Sequence, residues 1–426
     1  MVDLPRVFRV RQHFQAVECK DVAAEVEAQL TKLNLAQKIQ PNDTVAISAG
    51  SRGIANINIA IRGIVQHIQA LGGLPFVVPA MGSHGGGTAE GQRAIVEGYG
   101  MTEEFLGCPI KASMDTQIVC QAEEGFTVHF DKHALDADHV VVCNRIKPHT
   151  NFAGDIESGL MKMMLIGLGK HNGAKIYHRA INDYSVGQIV RSVAKEVLDK
   201  CGVVAGVALV ENQFDHTALV EAVAPEHFES REKELLVLAK DYMPSIPFDE
   251  VQFLAIDEMG KDISGSGMDT NVIGRKYNDH SATGDETPKV KYIAMRGLTP
   301  ATHGNATGLG MSEFCRSRVA REVDQKITRI NCITGGHITA AMSPLDYETD
   351  AEIFDVIAQS VGLTEPQDIR FVWIRNTLDV AEFICSEFYL AEVQQREDLE
   401  QISELQELPF DENGNLPDFV TDVLKS

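Results

Sequence analysis

The chain has 426 residues, 44% of them hydrophobic and 23% charged, with 61 acidic against 38 basic side chains and a formal net charge of -23. That length exceeds one small core and predicts two domains. The acidic balance argues against nucleic acid or an anionic membrane as a partner, while leaving room for a locally basic site that takes a small anion. Eight scattered cysteines without a C-x-x-C pair read as reduced thiols. Neither a signal-peptide-like stretch nor a run of about 20 apolar residues is present, so a cytoplasmic protein is expected.

In chain order, "DVAAEVEAQLTKLN" reads as a helix and "NDTVAIS" as a short buried strand. Ile57, Ala60, Ile61, Ile64, Val65 and Ile68 then recur at helical spacing until Gly72 and Gly73, and "LPFVVPA" reads as a second strand. Strand, helix, strand is a βαβ unit and predicts a parallel sheet with helices on both faces. A helix capped by Thr88, a strand at "HVVVCN", a helix around Lys162 and a strand at "GVVAGVALV" continue the pattern. From about Phe248 the rhythm restarts, with "VQFLAID", "KYIAMR" and "IRFVWI" as strands and "DAEIFDVIAQSV" as a helix. "MPSIPFDE", with two prolines in eight residues, marks a hinge. "VQQREDLEQISELQEL" reads as a charged, exposed helix carrying the chain back towards the first domain. The expected fold is therefore two α/β domains with mostly parallel sheets and an active-site cleft between them: residues 1–247 carrying the site, residues 248–404 closing over the substrate, and residues 405–426 returning to complete the first.

Open α/β sheets bind ligands beyond the carboxyl ends of their strands. "SAGSRG", "AMGSHGGG" and "NRIKPHTNF" follow three predicted strands there, bringing Arg52, His84, Arg145, Lys147 and His149 to one glycine-rich rim. Each has a bland reading as a solvated side chain; together, in an acidic protein, they describe a local anion site. Lys162 is a separate puzzle, since "GLMKMMLIGLGKHNGAKIYH" embeds it in a greasy run. It must reach water, meet a carboxylate or cease to be an ammonium ion. "GLGKHNG" follows a helix rather than a strand and lacks the spacing of a dinucleotide fingerprint. His171, Lys175 and His178 share a helical face, either as two metal ligands or as a wet surface, with no third ligand nearby to build a zinc cage. Further on, Arg275 and Lys276 lie in a polar loop after "VQFLAID" and are candidates to close over an anion.

Taken in order, "SRG" with Arg52, "GSH" with His84, "PHTNFAGDIESGLMK" with His149 and Lys162, and "NGAKIYH" ending in His178 resemble the lactate racemase family, whose members carry a nickel-pincer nucleotide. The resemblance spans much of residues 45–180. It implies that Ser158, Gly159 and Lys162 form the Ser-Gly-x-x-Lys motif. The motif lysine is joined through a thioamide to the cofactor, pyridinium-3-thioamide-5-thiocarboxylic acid mononucleotide, which would make Lys162 an uncharged link. His178 would coordinate nickel, whose other ligands come from the cofactor. His84 and His149 would be the two bases that inversion from either enantiomer requires, and Arg52, with Arg275 or Lys276, would hold the substrate carboxylate. The implied partners are a small anionic 2-hydroxy acid and the enzymes that mature the cofactor. Ala49 stands where family members often carry an acid, and the second-domain loop shows Ile273, Gly274, Arg275, Lys276 and Tyr277 in place of the tyrosine and glutamine expected near the family's substrate-binding lysine, which favours another 2-hydroxy acid or a sugar acid over lactate. The rival readings are an NAD-dependent 2-hydroxy acid dehydrogenase and a non-catalytic nucleotide-binding or carrier protein.

Overall fold

A computed structural model of the chain, describing residues 4–14, 17–51, 53–181, 183–276, 284–420 and 423, sorts the strands into two large sheets. Mixed α/β architecture with mostly parallel sheets is what the chain adopts. Two units are distinguished: residues 16–149 with 153–243, and residues 1–15 and 150–152 with 244–426. The strand β1 (Val7–Gln12) belongs to the second of these, a departure from the expected 1–247 domain. Its partners lie near the other end of the chain.

In the first unit, β2 (Thr44–Ala49), β3 (Leu74–Pro79), β4 (Thr116–Gln121), β5 (Thr127–Asp131), β6 (His139–Arg145), β7 (Val203–Glu211) and β8 (Thr217–Val223) follow in order. Among the described residues they form a five-stranded sheet, β3-β2-β6-β7-β8, and a separate β4-β5 hairpin. All pairs of the large sheet are parallel except β7 with β8. Alternate side chains are buried on opposite faces, as the two-residue period of a strand demands. Val45, Ile47, Val141 and Cys143 join the helices Val22–Lys32 and Ile57–Ala70 in one core. Ala46, Val78, Val140 and Val142 join the helices Val186–Lys200 and Phe228–Asp241 in another. After β2 the chain crosses to β3 on one side, and β6 lies on the other. The carboxyl ends of β2 and β6 therefore flank a topological switch point, where ligands bind in such sheets.

The second unit continues with β9 (Glu250–Ile256), β10 (Lys289–Met295), β11 (Phe314–Arg316), β12 (Leu345–Tyr347), β13 (Phe371–Ile374), β14 (Glu382–Ser386) and β15 (Leu399–Gln401). Its described strands form an eight-stranded sheet, β12-β11-β10-β9-β13-β14-β1-β15. β9 to β13 are parallel, and β14, β1 and β15 add antiparallel pairs. The exposed helix expected over residues 393–408 ends at Gln395. Leu399 is buried and Glu400 exposed because the chain pairs with β1, where Arg11 faces Glu400. Nor does the C-terminal segment complete the other unit. Gln406 pairs with Val7, and Leu416 and Val420 pack against Phe253 and Trp373.

The carboxyl ends of these parallel strands are closed by the chain itself. Arg296, after β10, lies between Asp257, after β9, and Asp350, and donates to the Leu416 and Pro417 carbonyls at 3.0 and 2.7 Å. Asp257 also accepts from the Trp373 indole at 2.7 Å and from the Val420 amide at 2.5 Å. Arg316 also meets Asp350 at 2.6 Å, so two arginines balance the two carboxylates.

Candidate functional site

Three loops and one helix of the first unit contribute the candidate residues. "SAGSRG" leaves β2. Arg52 lies outside the described residues, but its neighbours are held. Glu211, the last residue of β7, accepts from the Ala55 amide at 2.6 Å and pairs with Arg145. Arg145 thereby ties the loops after β2, β6 and β7 together. Ser51 reaches the next loop, where its hydroxyl bonds His84 Nδ1, and its carbonyl accepts from Tyr99 at 2.8 Å.

The "AMGSHGGG" loop leaves β3 and is shaped by its glycines. Gly85, Gly86 and Gly87 have φ of 65, 68 and 66°, a left-handed series that other residues adopt only under strain. Gln92, fully buried, donates to the Gly82 and His84 carbonyls at 2.9 and 3.3 Å. Thr88 caps the following helix by accepting from the Gly91 amide at 3.1 Å, as its sequence position predicts.

The loop after β6 folds back on the lysine motif. The Lys147 and Ser158 backbones bond each other at 3.0 and 3.2 Å, and Asn144 donates to the Gly159 carbonyl at 2.8 Å. Glu157 organises the loop from within. Its buried carboxylate accepts from the His149 amide at 2.6 Å and the Gly154 amide at 3.2 Å, and meets Lys240 at 2.7 Å. His149, Ser158, Gly159 and Lys162 are thus positioned by one bonded structure, and Gly50 of the β2 loop approaches both Met163 and Asn144.

The lysine segment is a helix interrupted by a π turn rather than the continuous helix expected. Leu160–Lys162 is helical and Met163–Gly167 is the π turn, closed by Leu168 N bonding to Met163 O at 2.9 Å. A second helix runs Lys170–Ala180. π turns of this kind concentrate at functional sites. The glycines of "GLGKHNG" serve packing. A Cβ at Gly167 would come 2.9 Å from the Ala80 carbonyl, and one at Gly173 3.0 Å from Tyr177. A dinucleotide role for them is thereby unnecessary.

The puzzle of the greasy lysine resolves differently from its statement. Lys162 is half-buried, and the lysine sealed from solvent is Lys170, at 0% exposure, with Nζ 2.9 Å from the equally buried Asp131 and donating to the Pro79 carbonyl. Lys162 nevertheless has a hidden carboxylate. Glu232, 1% exposed, accepts from the Met161 amide at 2.9 Å. Burial pushes its carboxyl up to about 7, against the Met161 and Leu160 amides and the Lys162 charge, which pull it down. Glu232 was legible in part: it falls at a core position of the helix Phe228–Asp241, in register with Phe228, Leu235 and Leu236. Ser51, Glu157 and Glu211 carried no such signal.

Further along, His178 is exposed in the last turn of its helix. His171, in the first turn, has a buried Nδ1 without a hydrogen-bond partner, near Gly87. Among the described residues no three His, Cys, Asp or Glu side chains gather in a metal-holding group. Arg275 and Lys276 belong to the other unit. Arg275 donates to Glu313 at 2.7 Å and to the Met311, Val290 and Lys291 carbonyls, a structural commitment. Lys276 is buried and bonds Asn271 at 2.6 Å and Thr270 at 3.2 Å.

No helix among the described residues is long and apolar enough to cross a membrane. No protein-family model and no curated protein matches the sequence. Among solved structures, the lactate racemase apoprotein from Thermoanaerobacterium thermosaccharolyticum is similar, with a TM-score of 0.57 and 12% identity over 88% of this chain and 99% of that one. The chain has a lactate-racemase-like fold.

Proposed function

We propose that the protein is a racemase or epimerase that inverts C2 of a 2-hydroxy acid, a short-chain acid or a sugar acid, and that it carries a nickel-pincer nucleotide on Lys162. The observation that carries this reading is the convergence of the His84 loop, the His149 loop and the Lys162 turn at the switch point of one sheet, in a fold like that of a lactate racemase apoprotein. The residues suit such a group: a half-buried lysine at the end of a short helix, a glycine-built loop, an unpartnered His171 nitrogen and an exposed His178 for nickel. When bound, the cofactor would accept hydride from C2 and return it to either face.

The chain's own part is proton transfer and orientation. Where His84 donates Nδ1–H to Ser51, its Nε2 lone pair is the base that takes the substrate hydroxyl proton. His149, held through its backbone by Glu157, serves the opposite enantiomer. Arg52 and Lys147 are the cations for the carboxylate; Arg275 is withdrawn because its guanidinium is committed to Glu313 and three backbone carbonyls. The test supplies single enantiomers of 2-hydroxy and sugar acids, deuterated at C2, to protein co-expressed with the cofactor-making enzymes. Inversion with the label retained at C2 is expected. Inversion with washout into solvent would point to proton abstraction, and no inversion of any acid by nickel-loaded protein would remove the proposal.

A further inference from the structure

The short helix Leu160–Lys162 starts at Gly159, which offers no side chain to cap it. Its exposed amide ends are met instead by Glu232, reaching from the helix Phe228–Asp241 to accept from the Met161 amide at 2.9 Å. The fit is close enough that a side chain at position 159 would have to displace the Glu232 carboxyl group. A Cβ at Gly159 would fall 2.3 to 2.6 Å from three atoms of the Glu232 carboxyl group, so the glycine of Ser-Gly-x-x-Lys makes room for a carboxylate. Lys162 follows Met161, the residue that Glu232 binds, in this same turn, and its charge acts on that carboxyl group. Glu232 is 1% exposed, and its Oε1 is buried without a hydrogen-bond partner. A carboxyl group so enclosed either takes up a proton or needs a counter-charge.

We propose that Glu232 is a positioning residue for Lys162, aiming its amine and holding it as an ammonium until the amine is acylated. The proposal rests on the reading of Lys162 as the cofactor's attachment point, yet the pair is testable without the cofactor. With acetic anhydride as the acyl donor, Lys162 passes one proton to Glu232, and its freed electron pair bonds the carbonyl carbon. Acetate departs with the electrons of the broken C–O bond and takes the second proton. The products are a neutral amide, a neutral Glu232 acid and acetic acid, so neither member of the pair is left as an isolated buried charge. The near-neutral ionisation of Glu232 suits this exchange.

The experiment is brief acetylation of the apoprotein across a pH series, with the Lys162 peptide quantified by mass spectrometry against exposed Lys32 and Lys38. Glu232→Gln keeps an oxygen for the Met161 amide and removes the charge. It should move the Lys162 profile about one pH unit lower, raising labelling at pH 8 roughly tenfold. An unmoved profile in a variant that melts like the wild type would reduce Glu232 to a helix cap and overturn the proposal. Lys162→Met reads the pair from the other side, should Glu232→Gln fold poorly. The pH at which stability stops falling should rise, and an unchanged pH would also overturn it. If the shifts occur but holoprotein never gains an adduct at Lys162, the pair stands and the proposed function fails.

Discussion

Replacing Lys170 by Met would test how the site is held together. Lys170 and Asp131 are both 0% exposed, with Nζ 2.9 Å from Oδ2, and the ammonium also donates to the carbonyl of Pro79 at the end of β3. The pair thereby fastens the loop carrying His84 to the helix carrying His178. The variant strands the Asp131 carboxylate in the core, which costs about 3–5 kcal/mol. The lower part of that range is expected, because Asp131 Oδ1 keeps the Ala134 amide at 2.8 Å. Asp131→Asn added to Lys170→Met removes the stranded charge and preserves the cap, so the double variant should recover to within about 1–2 kcal/mol of the wild type. The single tryptophan, Trp373, lies in the other unit, so its fluorescence in urea serves as a control. Peptide-resolved hydrogen exchange over residues 127–180 is the readout. A single variant within about 1 kcal/mol of wild type, or a double variant no better than the single, would refute the reasoning.

Other perturbations follow from the same physics. Glu232 is raised from 4.5 to about 7, so the folded state binds the extra proton between those values. Its contribution to stability is full below about pH 4.5 and lost as pH rises through 7, about 3 kcal/mol in all; Glu232→Gln should flatten that part of a pH series of urea midpoints. Arg296→Met leaves Asp257 without its cation, while Asp350 keeps Arg316, and should cost about 3–5 kcal/mol, read by Trp373 fluorescence. His84→Ala or His149→Ala should leave the mass of an adduct at Lys162 unchanged while lowering inversion by at least about 100-fold; normal inversion by either would end the two-base assignment.

Much of the first unit was legible because its information is local. The apolar runs at Val45, Phe76 and Val140, and the helical spacing from Ile57 to Ile68, announce themselves within a few residues, and the rim loops follow from strand order. What was not legible depends on partners distant in sequence. "VFRVRQ" alternates like a strand, but its neighbours are β14 and β15. The charges around Leu399 suggested a helix until β1 supplied a strand to pair with. The burial of Lys170 rather than Lys162 depends on Asp131, and the π turn on how Gly167 packs beneath Ala80. Glu157 from within the loop, and Glu211 and Glu232 from two other segments, set the geometry of residues that a motif can only name.

The most direct test is the intact mass and nickel content of protein co-expressed with the cofactor-making enzymes, with peptide mapping around Lys162. A nickel-containing nucleotide adduct on Lys162, absent from Lys162→Ala, is the predicted result. Unmodified, nickel-free protein, beside a lactate racemase control that did acquire the adduct in the same cells, would contradict it.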